Sequence, residues 1–170
     1  MKQKITDFRP VITIDLPGKL QDFLIHEFGL DETGAIMLHK RNVVGKFIDS
    51  MWTVNDLPVK QEFANPCRIA LPITPEMHYI VKCHFLFVSS WKAIQVVEFL
   101  ESMFCLKMRE NFITGYEKGF KQKQIIEAII DNYNWKNNQV TFDMIKKMDY
   151  RIRRKSIKDV AFEIKNAAIN

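Results

Sequence analysis

From Trp91 to Met108, apolar residues recur in steps of three and four, at Trp91, Ile94, Val97, Leu100, Phe104 and Met108. A helix needs that period to keep one apolar face. Ser89 and Ser90 stand just ahead of the stripe and suit an N-cap. The pattern runs on past Phe112 to Gly115 or Gly119, where a helix is expected to kink or end. A helix of this length divides the chain, because the residues on its two sides follow different periods.

Before it, Ile12, Ile14 and Leu16 alternate with Thr13 and Asp15, the period of a half-buried strand, and Pro17-Gly18 stops the run. Leu20, Phe23, Leu24 and Phe28 return at helical spacing, with Gly29 placed to close the helix. Residues 35–39 suggest a short second strand. A second helix follows, capped by Asn42 and carrying Val43, Val44, Phe47, Ile48, Met51 and Trp52 on one side. Gly45 inside it costs roughly 1 kcal/mol relative to alanine, which points to close packing there. Residues 53–66, with two prolines, read as a long connection, and residues 67–73 as a third strand. The run from Tyr79 to Val88 is dense in β-branched and aromatic residues, so a strand is expected, with Thr74-Pro75-Glu76 forming the turn of a hairpin. After the long helix, residues 116–132 resume a helical pattern with Phe120, Ile125, Ile126, Ile129 and Ile130, and an asparagine-rich turn leads to Thr141.

These readings give an α+β fold. A small mixed sheet with two helices occupies residues 1–88, and a helical region of long helix, helical hairpin and basic terminal helix occupies residues 89–170, the basic helix spanning 141–158. The composition, 47% hydrophobic and 26% charged, is that of a folded globular chain. No apolar run is long enough for a signal peptide or membrane span, so a cytoplasmic location and no membrane partner are expected. Cys67, Cys83 and Cys105 form no close-spaced pair and are expected to be reduced and mostly buried.

Charge is distributed unevenly. From Lys107 onward there are 14 basic and 8 acidic residues, whereas the first 106 hold 11 and 12, so the excess of positive charge is C-terminal. Lys146, Lys147, Arg151, Arg153, Arg154, Lys155 and Lys158 fall within thirteen positions that hold a single acid, Asp149. At about 100° per residue, Lys147, Arg151, Arg154 and Lys158 form one stripe, while Phe142, Ile145, Met148 and Ile152 line the opposite side. One face then docks on a core, and the other offers cations to a polyanion such as nucleic-acid phosphate. These seven cations are the candidate binding residues.

The segment QKQIIEAIIDNYN, a turn, and VTFDMIKKMDYRIRRK, within residues 116–158, resembles the helix-turn-helix DNA-binding proteins of bacteriophages and mobile elements. The resemblance implies that Thr141, Lys146, Lys147, Arg151 and Arg154 face DNA. The opening VITIDLP, followed by a helix, is also similar to the start of ribbon-helix-helix repressors, which implies that Thr13 and Asp15 point outward on a strand shared with a second subunit.

Other constellations carry less. Trp135, beside Tyr133 and Lys136, offers a ring for base stacking or a cover for a helix pair, the second being the commoner use. His78, Cys83 and His84 approach metal-ligand spacing, but on a strand only the two histidines share a face, and a structural role is expected. His26, Glu27 and His39 assemble no nucleophile-base set, the acids Asp15, Asp22 and Asp49 show no magnesium-binding pattern, and the isolated glycines form no phosphate loop. A non-enzymatic protein without cofactor or metal is expected. Its partners would be nucleic acid, double-stranded DNA first, and a second copy of the chain. The rival reading is a structural subunit of phage type that self-associates through its long helices, with Met103, Phe104, Met108, Phe112, Tyr116 and Phe120 filling either a core or an interface.

Overall fold

A computed structural model describes residues 9–72, 74–135 and 141–154. The chain is α+β, with a small mixed sheet near the N-terminus and a helical C-terminal region, six helices in all among the described residues. It divides into two compact units, Met1–Glu101 and Ser102–Asn170.

In the first unit β1 (Val11–Asp15) leads into α1 (Gly18–Phe28), followed by β2 (Ile36–Met37), α2 (Val43–Asp49), β3 (Thr53–Asn55), β4 (Pro66–Ala70), α3 (Pro75–Cys83) and β5 (Phe85–Phe87). Three strands form a sheet of order β1-β4-β2, with β1 antiparallel and β2 parallel to β4. Ile12 and Ile14 of β1 are buried, while Val11, Thr13 and Asp15 are half-buried, as the alternation requires. Register pairs Ile12 with Ile69. α1 adds Leu20, Phe23, Leu24 and Phe28 to this core and ends at Gly29, whose φ of 74° suits a residue without Cβ. The β1 partner is β4 of the same chain, so the intersubunit strand implied by the ribbon-helix-helix resemblance is not what satisfies β1 here.

Gly45 of α2 is held against backbone. A Cβ there would lie 2.1 Å from the His39 carbonyl oxygen, and the Gly45 N–H donates to the Asn42 cap at 2.6 Å. The close packing suggested by a mid-helix glycine is therefore a contact with main chain.

Two expectations fail in this unit. The connection 53–66 contains a strand, β3, which pairs antiparallel with β5 in a separate two-stranded sheet. Of the strand expected over 79–88, residues 79–83 belong instead to helix α3, and only β5 (Phe85–Phe87) is strand. The local start signal outweighs β propensity: the Thr74 hydroxyl accepts from the Met77 N–H at 3.2 Å, and proline stands in the first turn, where its missing N–H costs nothing.

α4 (Ser90–Glu117) is the long helix, and the boundary between the units falls within it. Its buried side chains are Val96, Leu100, Phe104, Met108 and Phe112. Trp91 and Ile94, expected on the buried stripe, are 69% and 52% exposed.

In the second unit the chain turns at Gly119, φ 80°, and α5 (Gln122–Asn132) buries Ile125, Ile126, Ile129 and Ile130. Tyr116 belongs to α4 and Phe120 is exposed, so the hairpin's second helix begins later than its apolar pattern suggests. A Cβ on Gly115 would lie 2.6 Å from Ile125, so glycine lets α4 and α5 approach closely. A final helix, α6, is described over residues 141–154, and Ile145 on it is fully buried.

Candidate nucleic-acid interface

α6 has the two faces that its sequence period requires. Ile145 is buried and Phe142, Met148 and Ile152 are half-buried, whereas Lys146, Lys147, Tyr150, Arg151, Arg153 and Arg154 are exposed. Lys155 and Lys158 lie outside the described residues. Of the five described candidate cations, Lys146, Lys147, Arg151 and Arg154 form no ion pair with any described carboxylate.

The fifth, Arg153, is engaged. Its guanidinium forks onto Asp149, with Nε donating to Oδ1 at 3.1 Å and Nη2 to Oδ2 at 2.5 Å. Nη2 also donates to the Tyr116 hydroxyl, and the guanidinium carbon lies 4.6 Å from the centre of the Tyr116 ring. Arg153, one of the seven candidate cations, is thus held by Asp149 and Tyr116.

Asp149 explains why the face stays cationic. On the helical wheel it falls beside Ile145, on the docked side, and its side chain is 1% exposed. It accepts from the Tyr116 hydroxyl of α4 at 2.8 Å and from Gln122 Nε2 of α5 at 2.5 Å, besides the two bonds from Arg153. One carboxylate thus ties together α4, α5 and α6. Burial pushes its pKa up, but hydrogen bonds from Arg153, Gln122 and Tyr116 outweigh burial and hold it below the ordinary carboxylate value. Burial first, and then the Asp149 carboxylate, push the Tyr116 phenol up. Sequence reasoning registered Asp149 only as an acid diluting the basic stretch. Its position on the apolar side, four residues before Arg153, was the available signal for an inward pair.

The second residue missed is Tyr150, 65% exposed in the middle of the basic face. Thr141 and Asp143 on α6 are half-buried, which leaves little of Thr141 to face DNA. Trp135 is half-buried, stacked on Tyr133 with ring centres 4.9 Å apart and edge-on to Phe104 at 5.9 Å, so it covers the end of the helix pair.

The remaining constellations do not assemble. The expected strand face shared by His78 and His84 does not exist, because residues 75–83 are helical. His84 Nδ1 lies 2.8 Å from Asp56 Oδ1 at the surface. No group of three or more metal-ligating side chains occurs among the described residues. Cys67 is buried, and burial pushes its thiol up to about 12, but Cys83 and Cys105 are exposed, contrary to expectation. No described helix is long and apolar enough to cross a membrane. No family model, curated protein or solved structure matches the chain, so the functional reading rests on this geometry.

Proposed function

We propose that the protein binds nucleic acid, gripping the phosphate backbone through the exposed face of α6. The observation that carries this reading is the pairing pattern on that helix: Lys146, Lys147, Arg151 and Arg154 are exposed without carboxylate partners among the described residues, while the nearest acid, Asp149, is turned inward. Four cations within about 12 Å of helix (1.5 Å per residue) give a local potential that a polyanion satisfies. Lys155 and Lys158 continue the basic run in sequence and belong to the same proposed set.

Backbone grip suits this helix better than base reading. The arginines lie late in α6, whereas recognition helices contact bases from their N-terminal residues. The turn that the sequence suggests from Asn132 to Gln139 is longer than the three- or four-residue turn of a helix-turn-helix. From that resemblance we retain the cationic second helix and a role as a regulator or replication accessory of a phage or mobile element. One helix supplies few contacts, so a second copy of the chain is the expected partner in binding.

The test is a mobility-shift assay with Arg151→Ala and Arg154→Ala combined. Binding to any duplex should weaken about tenfold or more, with thermal stability unchanged. Undiminished binding would remove the proposal.

A second reading, self-assembly through the long helix, draws on Trp91, Ile94, Leu106 and Ile113, which are large, apolar and exposed on α4. Against it, Phe104, Met108 and Phe112, which could have formed such an interface, are consumed by the unit's own core. Salt-insensitive, concentration-dependent oligomers without co-purifying nucleic acid on a sizing column would favour assembly.

A further inference from the structure

An exposed tyrosine by itself is ordinary. Tyr150 is distinguished by its neighbours. On a helix the side chains that surround a residue are those three and four positions away, and for Tyr150 these are Lys146, Lys147 and Arg154, exposed cations without a described carboxylate partner, and Arg153, whose guanidinium is held by Asp149 and Tyr116. The next residue, Arg151, is a fourth free cation. The Tyr150 ring takes part in no ring stacking or cation–π contact with the described residues; the aromatic side chains of this unit that do so, Phe104, Phe112, Tyr116, Tyr133 and Trp135, are spent inside the fold. The basic face therefore has an open aromatic surface at its centre and positive charge around it.

Those parts fit one kind of polyanion better than another. In a duplex the π-faces of the bases are stacked on one another, and a ring on a phosphate-gripping helix meets only sugar, phosphate or groove edge. In an unpaired strand the bases are free to stack on an aromatic side chain while the flanking phosphates meet cations beside it. Resting on the reading that α6 binds nucleic acid, we infer that the face prefers unpaired nucleotides, with one base stacked on Tyr150 and the adjoining phosphates held by Lys146, Lys147 and Arg154. This replaces double-stranded DNA as the preferred form. Because stacking tolerates every base, sequence preference is weak.

The experiment compares fluorescence anisotropy of a labelled 12-nucleotide DNA strand, the same length of RNA and a 12-base-pair duplex, with the full chain as wild type, Tyr150→Ala, Tyr150→Phe and the Arg151→Ala/Arg154→Ala pair. The inference predicts tighter binding of at least one single strand than of the duplex. Tyr150→Ala should weaken single-strand binding at least about fivefold and duplex binding less than twofold, at unchanged salt dependence, while Tyr150→Phe stays within twofold of wild type. The DNA and RNA arms tell which strand is the source. Equal losses on strand and duplex, no loss, or a Tyr150→Phe defect as large as that of alanine would overturn the stacking role. If the duplex binds at least as tightly as the strands and only the arginine pair matters, this inference falls and the parent proposal stands. If no oligonucleotide binds but anionic phospholipid vesicles do, both fall.

Discussion

In the first unit Lys19 lies 3.0 Å from Glu101 and Lys40 2.9 Å from Asp49, and residues 1–101 carry 11 basic and 12 acidic side chains. In the second, residues 102–170 carry 14 and 8, and α6 presents Lys146, Lys147, Arg151 and Arg154 without a described carboxylate partner. The one acid within its basic run is buried and takes Arg153 with it. Surface pairs like those of the first unit contribute little stability, so the contrast is not one of stabilisation. It lies in what the charges remain free to meet. In the first unit acids and bases balance in number, although Lys46, Lys60, Lys82 and Lys92 there also pair with no described carboxylate; in the second, Asp149, the one acid inside the basic run, is buried in the helix junction and the outer face of α6 is cationic.

The glycines give the strongest way to probe the packing side of this comparison. Gly45→Ala in the first unit would drive Cβ into a main-chain carbonyl, at 2.1 Å, and should destabilise by about 3 kcal/mol, at the upper end of overpacking costs. Gly115→Ala in the second meets the Ile125 side chain at 2.6 Å, which can rotate away, and alanine's better helix propensity offsets part of the strain. About 1 kcal/mol is expected there. Urea unfolding of both variants checks the order, and a reversal would mean that α4 and α5 pack more rigidly than the sheet unit.

Between these two in size is the junction itself. Asp149→Ala leaves Gln122, Tyr116 and Arg153 without their shared acceptor. With Arg153 half-exposed and able to recruit water, we expect a loss of about 2 kcal/mol. The pH dependence follows from the lowered pKa of Asp149. A carboxyl whose folded pKa lies below its unfolded value, about 3.9, contributes stability that is complete above about pH 5 and is lost as pH falls through the folded pKa. Wild type should therefore lose stability toward pH 3 more steeply than Asp149→Asn, as followed by thermal unfolding at several pH values. Parallel curves would show that the carboxylate is not held by its partners. Smallest of all, Lys147→Ala should change stability by less than about 0.5 kcal/mol, because its side chain meets no partner that folding provides.

Much of this was legible in the sequence, in particular places. The alternation of Ile12, Ile14 and Leu16 and the spacing of Leu20, Phe23, Leu24 and Phe28 each specify one face, and each was buried as expected. The polar and apolar faces of α6 were equally readable. Three features were not. α3 lost to β propensity because a capping threonine and a proline act over three residues, whereas the aromatic run is long and conspicuous. β3 is stabilised by its pairing with β5, some thirty residues away, and three residues have no period of their own. Trp91 and Ile94 match the helical stripe, yet only tertiary packing decides which arc of a long helix is covered. In the candidate site, sequence spacing located the cations and the i, i+4 pair of Asp149 with Arg153, while the burial of that carboxylate depends on Tyr116 and Gln122, residues contributed by two other helices.

The central claim, that the free cations of α6 grip a polyanion, is tested most directly by the salt dependence of binding. Three to four phosphate contacts predict that log Kobs for a single strand falls with log salt at a slope of about −2 to −3. The Arg151→Ala/Arg154→Ala protein should show a slope shallower by about 1.4. A wild-type slope near zero, or a slope that the double substitution leaves unchanged, would contradict the account.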